Sequence, residues 1–252
     1  MGLSSNSLIH FTKNLSSLNG ILKDNFKIRY CRETIYTSND HYDTLVPIVS
    51  FCDIPFSQIM SHVNNYGCYG IGLSKKWAER NGLNPVFYVE KDSNFAANFF
   101  VKLFEKITES KASISNLTIE EKHILDVIRY MKNYQGDLKR SEKPTIKDYR
   151  FSDEREWRFV LSPDHKELLI GNLKSFKIDA KIKLAKDHLN EKIKDERLIF
   201  EPDDINYIII KKESERDSVI RNLERVKGKY PLDSVRRLTS RIISVEQIKT
   251  DF

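Results

Sequence analysis

The spacing of hydrophobic positions changes repeatedly along the chain, and the changes predict short elements. Residues 9–12 read as a strand. Over 14–23 (NLSSLNGILK), Leu15, Leu18, Ile21 and Leu22 recur at helical spacing. Residues 46–52 (VPIVSFC) predict a strand. Asp53 as a cap and Pro55 in a first turn then open a helix over 56–65. Residues 69–74 (YGIGLS) are strand-like, 75–81 form a short helix closed by Gly82, and 86–90 form a strand.

The stretch 92–134 reads as purely helical. Phe95, Phe99, Leu103 and Ile107 make one stripe. A second helix opens at Thr118 with Glu121 as a capping box, and Ile124, Val127, Ile128 and Met131 make its buried face. Residues 135–150 (QGDLKRSEKPTIKDYR) are polar and basic and predict an exposed loop. Strands follow at 154–161, 168–170, 197–200 and 205–211, with helices near 178–189 and over 213–227, the latter stopping at Gly228. The end, RIISVEQIKTDF, reads as a strand and a short helix. Strands and helices mix without a steady βαβ rhythm, so the expected fold class is α+β.

Composition narrows the picture. The 252 residues are 40% hydrophobic and 11% aromatic, enough to bury a core and inconsistent with general disorder. Cys31, Cys52 and Cys68 are an odd set without a CxxC, which predicts reduced thiols. No apolar run approaches a membrane span, and MGLSSNSLIH lacks a basic start with an apolar stretch, so a cytoplasmic location is expected. The net charge of +6 permits a polyanionic partner without demanding one. There is no GxGxxG and no Walker loop. The GxG at Gly70-Ile71-Gly72 lies within a strand, which is not a dinucleotide fingerprint.

Three places could carry chemistry. His10 and Thr12 lie two apart on one face of a strand, where they either pack or hold a sugar or amide. In Glu154-Arg155-Glu156-Trp157-Arg158, the alternation puts Glu154, Glu156 and Arg158 on one face and Trp157 and Phe159 in a core. Either Arg158 simply neutralises Glu156 on a solvated face, or it holds a carboxylate rigid over a pocket. The third place holds Cys52, Asp53, His62 and Cys68. Their spacing matches no common zinc pattern, so no metal is expected. Nearby Tyr66 and Tyr69, among glycines, suit a flat ring or serve as packing.

Leu8-Ile9-His10-Phe11-Thr12, the Asn-Leu…Ile-Leu helix, SFCDIP, YGCYGIGLSKKWA, EREWRF and SVEQIKTDF together resemble the AbiGi-type abortive-infection proteins over nearly the whole chain. The same skeleton resembles the ADP-ribosyltransferase superfamily in its DarT-like and PARP-like forms, and the mRNA-modifying transferase toxins of toxin–antitoxin–chaperone defence modules.

That resemblance implies one domain over 1–252 with a split β-sheet core, a helical insertion at 92–134 and a substrate-recognition loop at 135–153. It implies NAD as co-substrate, held by His10, Phe11 and Thr12, with Tyr69 or Tyr66 stacking on nicotinamide because Gly72 stands where a PARP-like tyrosine is expected. Glu156 would be catalytic, in a cleft shared with His10, and Glu156→Gln would cost little fold. Glu154 and Arg158 would face the substrate.

The basic run Lys139, Arg140, Lys143, Lys147, Arg150, interleaved with Tyr149 and Phe151, suggests RNA or single-stranded DNA beside the site, or simply a solvated loop. A neutralising antitoxin would be a further partner, and no membrane is expected. Two alternatives stand beside the transferase. One is a non-enzymatic antitoxin or regulatory subunit. The other is a Mg²⁺ nuclease using Asp53, Glu154 and Glu156.

Overall fold

The computed structural model describes residues 5–38, 41–96, 118–140, 143–162 and 179–251. Its strands are β1 (Ser7–Thr12), β2 (Phe26–Lys27), β3 (Arg29–Tyr36), β4 (His41–Cys52), β5 (Tyr69–Ser74), β6 (Asn84–Pro85), β7 (Phe87–Val89), β8 (Met131–Asn133), β9 (Gln135–Arg140), β10 (Lys143–Arg150), β11 (Glu156–Val160), β12 (Arg197–Leu198), β13 (Ile205–Ile210) and β14 (Ile242–Ser244). Its helices are α1 (Leu15–Asp24), α2 (Ile59–Tyr66), α3 (Lys75–Arg80), α4 (Ile119–Arg129), α5 (Asp179–Lys192), α6 (Arg216–Lys227), α7 (Leu232–Ser240) and α8 (Val245–Asp251). The mixture of strands and helices is the one expected. The chain divides into two compact units, one of Met1–Lys27, Ser50–Asn84 and Arg197–Phe252, the other of Ile28–Val49 and Pro85–Glu196.

In the first unit the strands run β14-β13-β5-β1, with residues 50–52 of β4 beside β1. β13 and β14 are parallel, and β5 is antiparallel to both β1 and β13. Strand alternation sends His10 to one face, against Phe26 and Phe51, in an aromatic cluster with Trp77 and Phe200. It sends Ile9 to the other, into a core with Ile54, Ile59, Val63, Ile209, Val245 and Ile248.

Two glycines have specific work here. Gly67 sits at φ +132°, and a Cβ there would lie 2.2 Å from the Thr12 carbonyl oxygen, so the α2–β5 turn closes onto the end of β1 only with glycine. At Gly72 the space above the strand is filled by Tyr207, whose ring would stand 3.1 Å from a Cβ. That space therefore belongs to packing, not to a ligand approaching the backbone.

Asn14 caps α1, its Oδ1 accepting from the Ser17 N–H at 2.8 Å. Asn14→Ala should cost about 1 kcal/mol, read as a shift in the urea midpoint. An unchanged midpoint would show that water replaces the cap at no cost.

In the second unit β3 and β4 form an antiparallel hairpin, β11 lies beside β4, and β7 and β8 pair in parallel. Ile35, Tyr42, Val89, Ala96, Ile128 and Met131 are its buried cluster.

Three expectations change in this unit. The helix from Thr118 has its capping box but ends at Arg129, and Met131–Asn133 is a strand. Val127, expected on the buried face, is exposed. Residues 135–150 are not a loop but the hairpin β9–β10, followed by a 3-10 turn, Phe151–Glu154. Phe99, Leu103 and Ile107 of the first expected stripe, and the expected strand at 168–170, lie outside the described residues. Four elements went unassigned from sequence, β2, β3, β6 and α7.

Candidate functional site

The densest chemistry lies in the second unit, where β3, β8, β11 and the turn before β11 converge. Arg155 adopts a left-handed conformation, φ 44°, between the 3-10 turn and β11. Glu154 thus belongs to the turn, not to the strand. Both carboxyls nevertheless reach one ammonium. Lys132 Nζ donates to Glu154 Oε2 at 2.7 Å and to Glu156 Oε2 at 2.8 Å. Arg158 grips Glu156 with Nε at 2.6 Å from Oε1 and Nη2 at 3.3 Å from Oε2. Its Nη2 also donates to Glu33 Oε2 at 2.7 Å, and its Nη1 to the carbonyl of Arg129 at 3.2 Å. The Glu156 N–H donates to the Tyr88 hydroxyl.

Glu154, Glu156 and Arg158 are 3%, 5% and 1% exposed, so these are interior groups; Lys132 and Glu33, with 19% and 20% of their side chains exposed, are the parts open to water. Trp157 and Phe159 are half-buried and so anchor the strand less than expected.

Charge counting explains the titration behaviour. Glu33, Glu154 and Glu156 crowd around Arg158 and Lys132, so each further ionised carboxyl repels the others. Burial, with the charges of Glu156 and Glu33, pushes Glu154 up to about 9 against the pull of Arg158. Burial pushes Glu156 the same way, but Arg158 and Lys132 outweigh it and hold that carboxyl well below the usual range. Glu156 and Glu33 hold Arg158 firmly charged despite its burial. Two carboxyls two residues apart are thus separated into an acid form and an ionised form.

Because the folded state keeps a proton on Glu154 that the unfolded chain loses, stability from this group is complete below the unfolded carboxyl pKa and drains away as pH rises towards 9. Glu154→Gln, permanently neutral, should remove that drain. Its stability relative to wild type should grow between pH 5 and 9 with a slope approaching ~1.4 kcal/mol per pH unit. Parallel urea-midpoint profiles for the two proteins would refute this.

The other sequence candidates occupy the first unit. His10 is half-buried. Its Nδ1 lies 2.8 Å from the Ser50 carbonyl oxygen, and burial lowers its pKa against that bond. Phe11 and Thr12 are half-buried on the same strand, and Thr12 is paired with Tyr69. Tyr69 is buried, and its hydroxyl donates to Glu215 at 2.7 Å. Burial and that bond push it up to about 12. Tyr66 is half-buried and stacks on His62, which also faces Phe11. Asp53 accepts from Lys75 Nζ and the Ser5 N–H. Among the described residues no group of three or more His, Cys, Asp or Glu is arranged to hold a metal ion.

Tyr149, Lys147 and Arg150 lie on β10 in the second unit, with Lys147 paired to Asp137. Lys132 and Glu33 escaped sequence reasoning. The signal for Lys132, alternation of Met131 and Asn133 inward with Lys132 between, was hidden inside an apparent helix.

Fold and site together define a mixed α/β protein whose second unit holds an interior network of carboxyls, a lysine and an arginine. The family model described as "Putative abortive phage resistance protein AbiGi, antitoxin" matches residues 24–211, well over half of the chain. The chain therefore belongs to the AbiGi family of abortive phage resistance proteins. It is also similar to the "Abortive phage resistance protein AbiGi" of Lactococcus lactis subsp. cremoris, 27% identical over 226 residues that cover 82% of this chain and 89% of that one. No solved structure matches. No helix among the described residues is long and apolar enough to cross a membrane.

Proposed function

We propose that the chain acts in phage defence as an NAD-dependent ADP-ribosyltransferase whose working carboxylate is Glu156. The observation that carries this reading is the meeting of the buried Glu154 and Glu156 on one shared Lys132 Nζ, at 2.7 and 2.8 Å, with Arg158 fixing Glu156 at 2.6 Å. In the reaction the bond between nicotinamide and ribose breaks and nicotinamide leaves with the electron pair. The acceptor then bonds to the ribose carbon and gives up a proton. Glu156 steadies the positive charge that develops on the sugar. Arg158 fixes the orientation of its carboxylate. Lys132, the less buried of the two cations, is the partner a ribose hydroxyl displaces. Glu154 offers a hydrogen-bond donor without adding a second negative charge.

A second reading is a non-enzymatic antitoxin, favoured by the word in the family's description. One experiment separates the two. The purified chain is incubated with NAD⁺ labelled in its adenylate phosphate, together with RNA, single-stranded DNA and protein from a host lysate, while the same chain is expressed in the host. The transferase reading expects label retained on one fraction and arrested growth. No label in any fraction, with harmless expression, would overturn it in favour of the antitoxin.

A further inference from the structure

The hairpin β9–β10 carries an arrangement that the carboxylate network does not use. Its last strand presents Arg150, exposed and without a carboxylate partner among the described residues, its guanidinium carbon 5.8 Å from the centre of the Tyr134 ring. Tyr134 is 38% exposed. Next to them Tyr149 meets Phe151 edge-on at 5.3 Å, and Lys132 lies 4.8 Å from the Phe151 ring centre. Gly136, opposite Tyr149 in the ladder, makes room for this layer, since a Cβ there would touch Phe151 at 3.4 Å. Lys147 and Ile146 continue the exposed surface along β10.

A surface arginine that serves only hydration has no need of an aromatic face beneath it. A guanidinium within cation–π reach of a ring keeps its N–H edges available for phosphate oxygens, and an exposed tyrosine beside it offers a face for an unpaired base. The aromatic rings of Tyr134 and Tyr149 beside the cation of Arg150 suit a chain of bases and phosphates, whereas an acidic peptide would use only the charge.

We infer that the β9–β10 hairpin, through Arg150 and the Tyr134 that directly precedes β9, binds single-stranded nucleic acid. The inference supplies an acceptor class for the proposed transferase, but binding itself needs neither NAD⁺ nor Glu156. The test is fluorescence anisotropy of the full chain with labelled single-stranded RNA and DNA 20-mers over a salt series. Poly-glutamate of equal length and a duplex serve as competitors.

Affinity should fall steeply with salt, and Arg150→Gln should flatten the log–log slope by about 0.7. Tyr134→Ala should weaken binding about tenfold at constant slope, with Tyr134→Trp restoring it. Far-ultraviolet circular dichroism checks that each variant is folded. Absence of salt-sensitive binding, or equal competition by poly-glutamate with indifference to Tyr134, would overturn the inference. Binding that persists in a chain that transfers no label would leave this surface standing while the transferase reading falls.

Discussion

Arg158→Met should lower the unfolding free energy by roughly 3–5 kcal/mol, the cost of stranding buried charge when one partner of an interior pair is removed. Arg158 is 1% exposed and holds Glu156 through two hydrogen bonds and Glu33 through a third. Without it, Glu156 loses its bidentate partner while Lys132 stays, and Glu33 loses a 2.7 Å ion pair. The carbonyl of Arg129 also loses a donor. If the loss comes from stranded charge, removing the charge should recover much of it. Arg158→Met combined with Glu156→Gln should then be more stable than Arg158→Met alone, a coupling visible in a double-mutant cycle of urea midpoints. Additive losses would assign the cost to packing instead.

What the sequence disclosed of this cluster depended on whether a residue's partners were local. Glu156 and Arg158 stand two apart on a strand, so their pairing follows from alternation alone. Lys132 and Glu33 meet them only through tertiary pairing of β8 and β3 with other strands, and nothing adjacent in the chain announces that.

The elements divide in the same way. β5 and α3 were legible because their apolar residues repeat with one period between clear stops. β9 and β10 were not, because a hairpin exposed along much of its length has no apolar face to alternate, and its composition is that of a loop. β8 was hidden because a three-residue strand directly after α4 continues the apolar run of the helix. β3 was hidden because charged residues interrupt its alternation, one of them, Glu33, turned towards Arg158.

Glu156→Gln should slow ADP-ribose transfer by about 100- to 1,000-fold, the usual cost of losing one preorganised charged group at a developing charge. The structure changes how that result must be read. A carboxylate serving two cations is part of the interior, so the expectation that this substitution leaves the fold nearly intact does not hold. Lys132 and Arg158 would have one neutral amide oxygen between them at position 156, with Glu33 still bonded to Arg158 and Glu154 to Lys132, at a cost on the order of 2–3 kcal/mol.

Rates therefore need comparison at equal folded fraction, at a temperature where circular dichroism shows each variant native. Lys132→Met supplies the discriminating arm. It also removes a charge from the network and so also destabilises, but it frees the carboxylate oxygen that the substrate must reach. If Glu156 acts on the sugar, Lys132→Met should keep or raise kcat while Glu156→Gln lowers it about 100- to 1,000-fold, although both lower the melting temperature. If the network is only structural, activity should follow stability in both variants. A Glu156→Gln protein that transfers at the wild-type rate when fully folded would remove Glu156 from the chemistry and leave it as a counter-ion to Arg158.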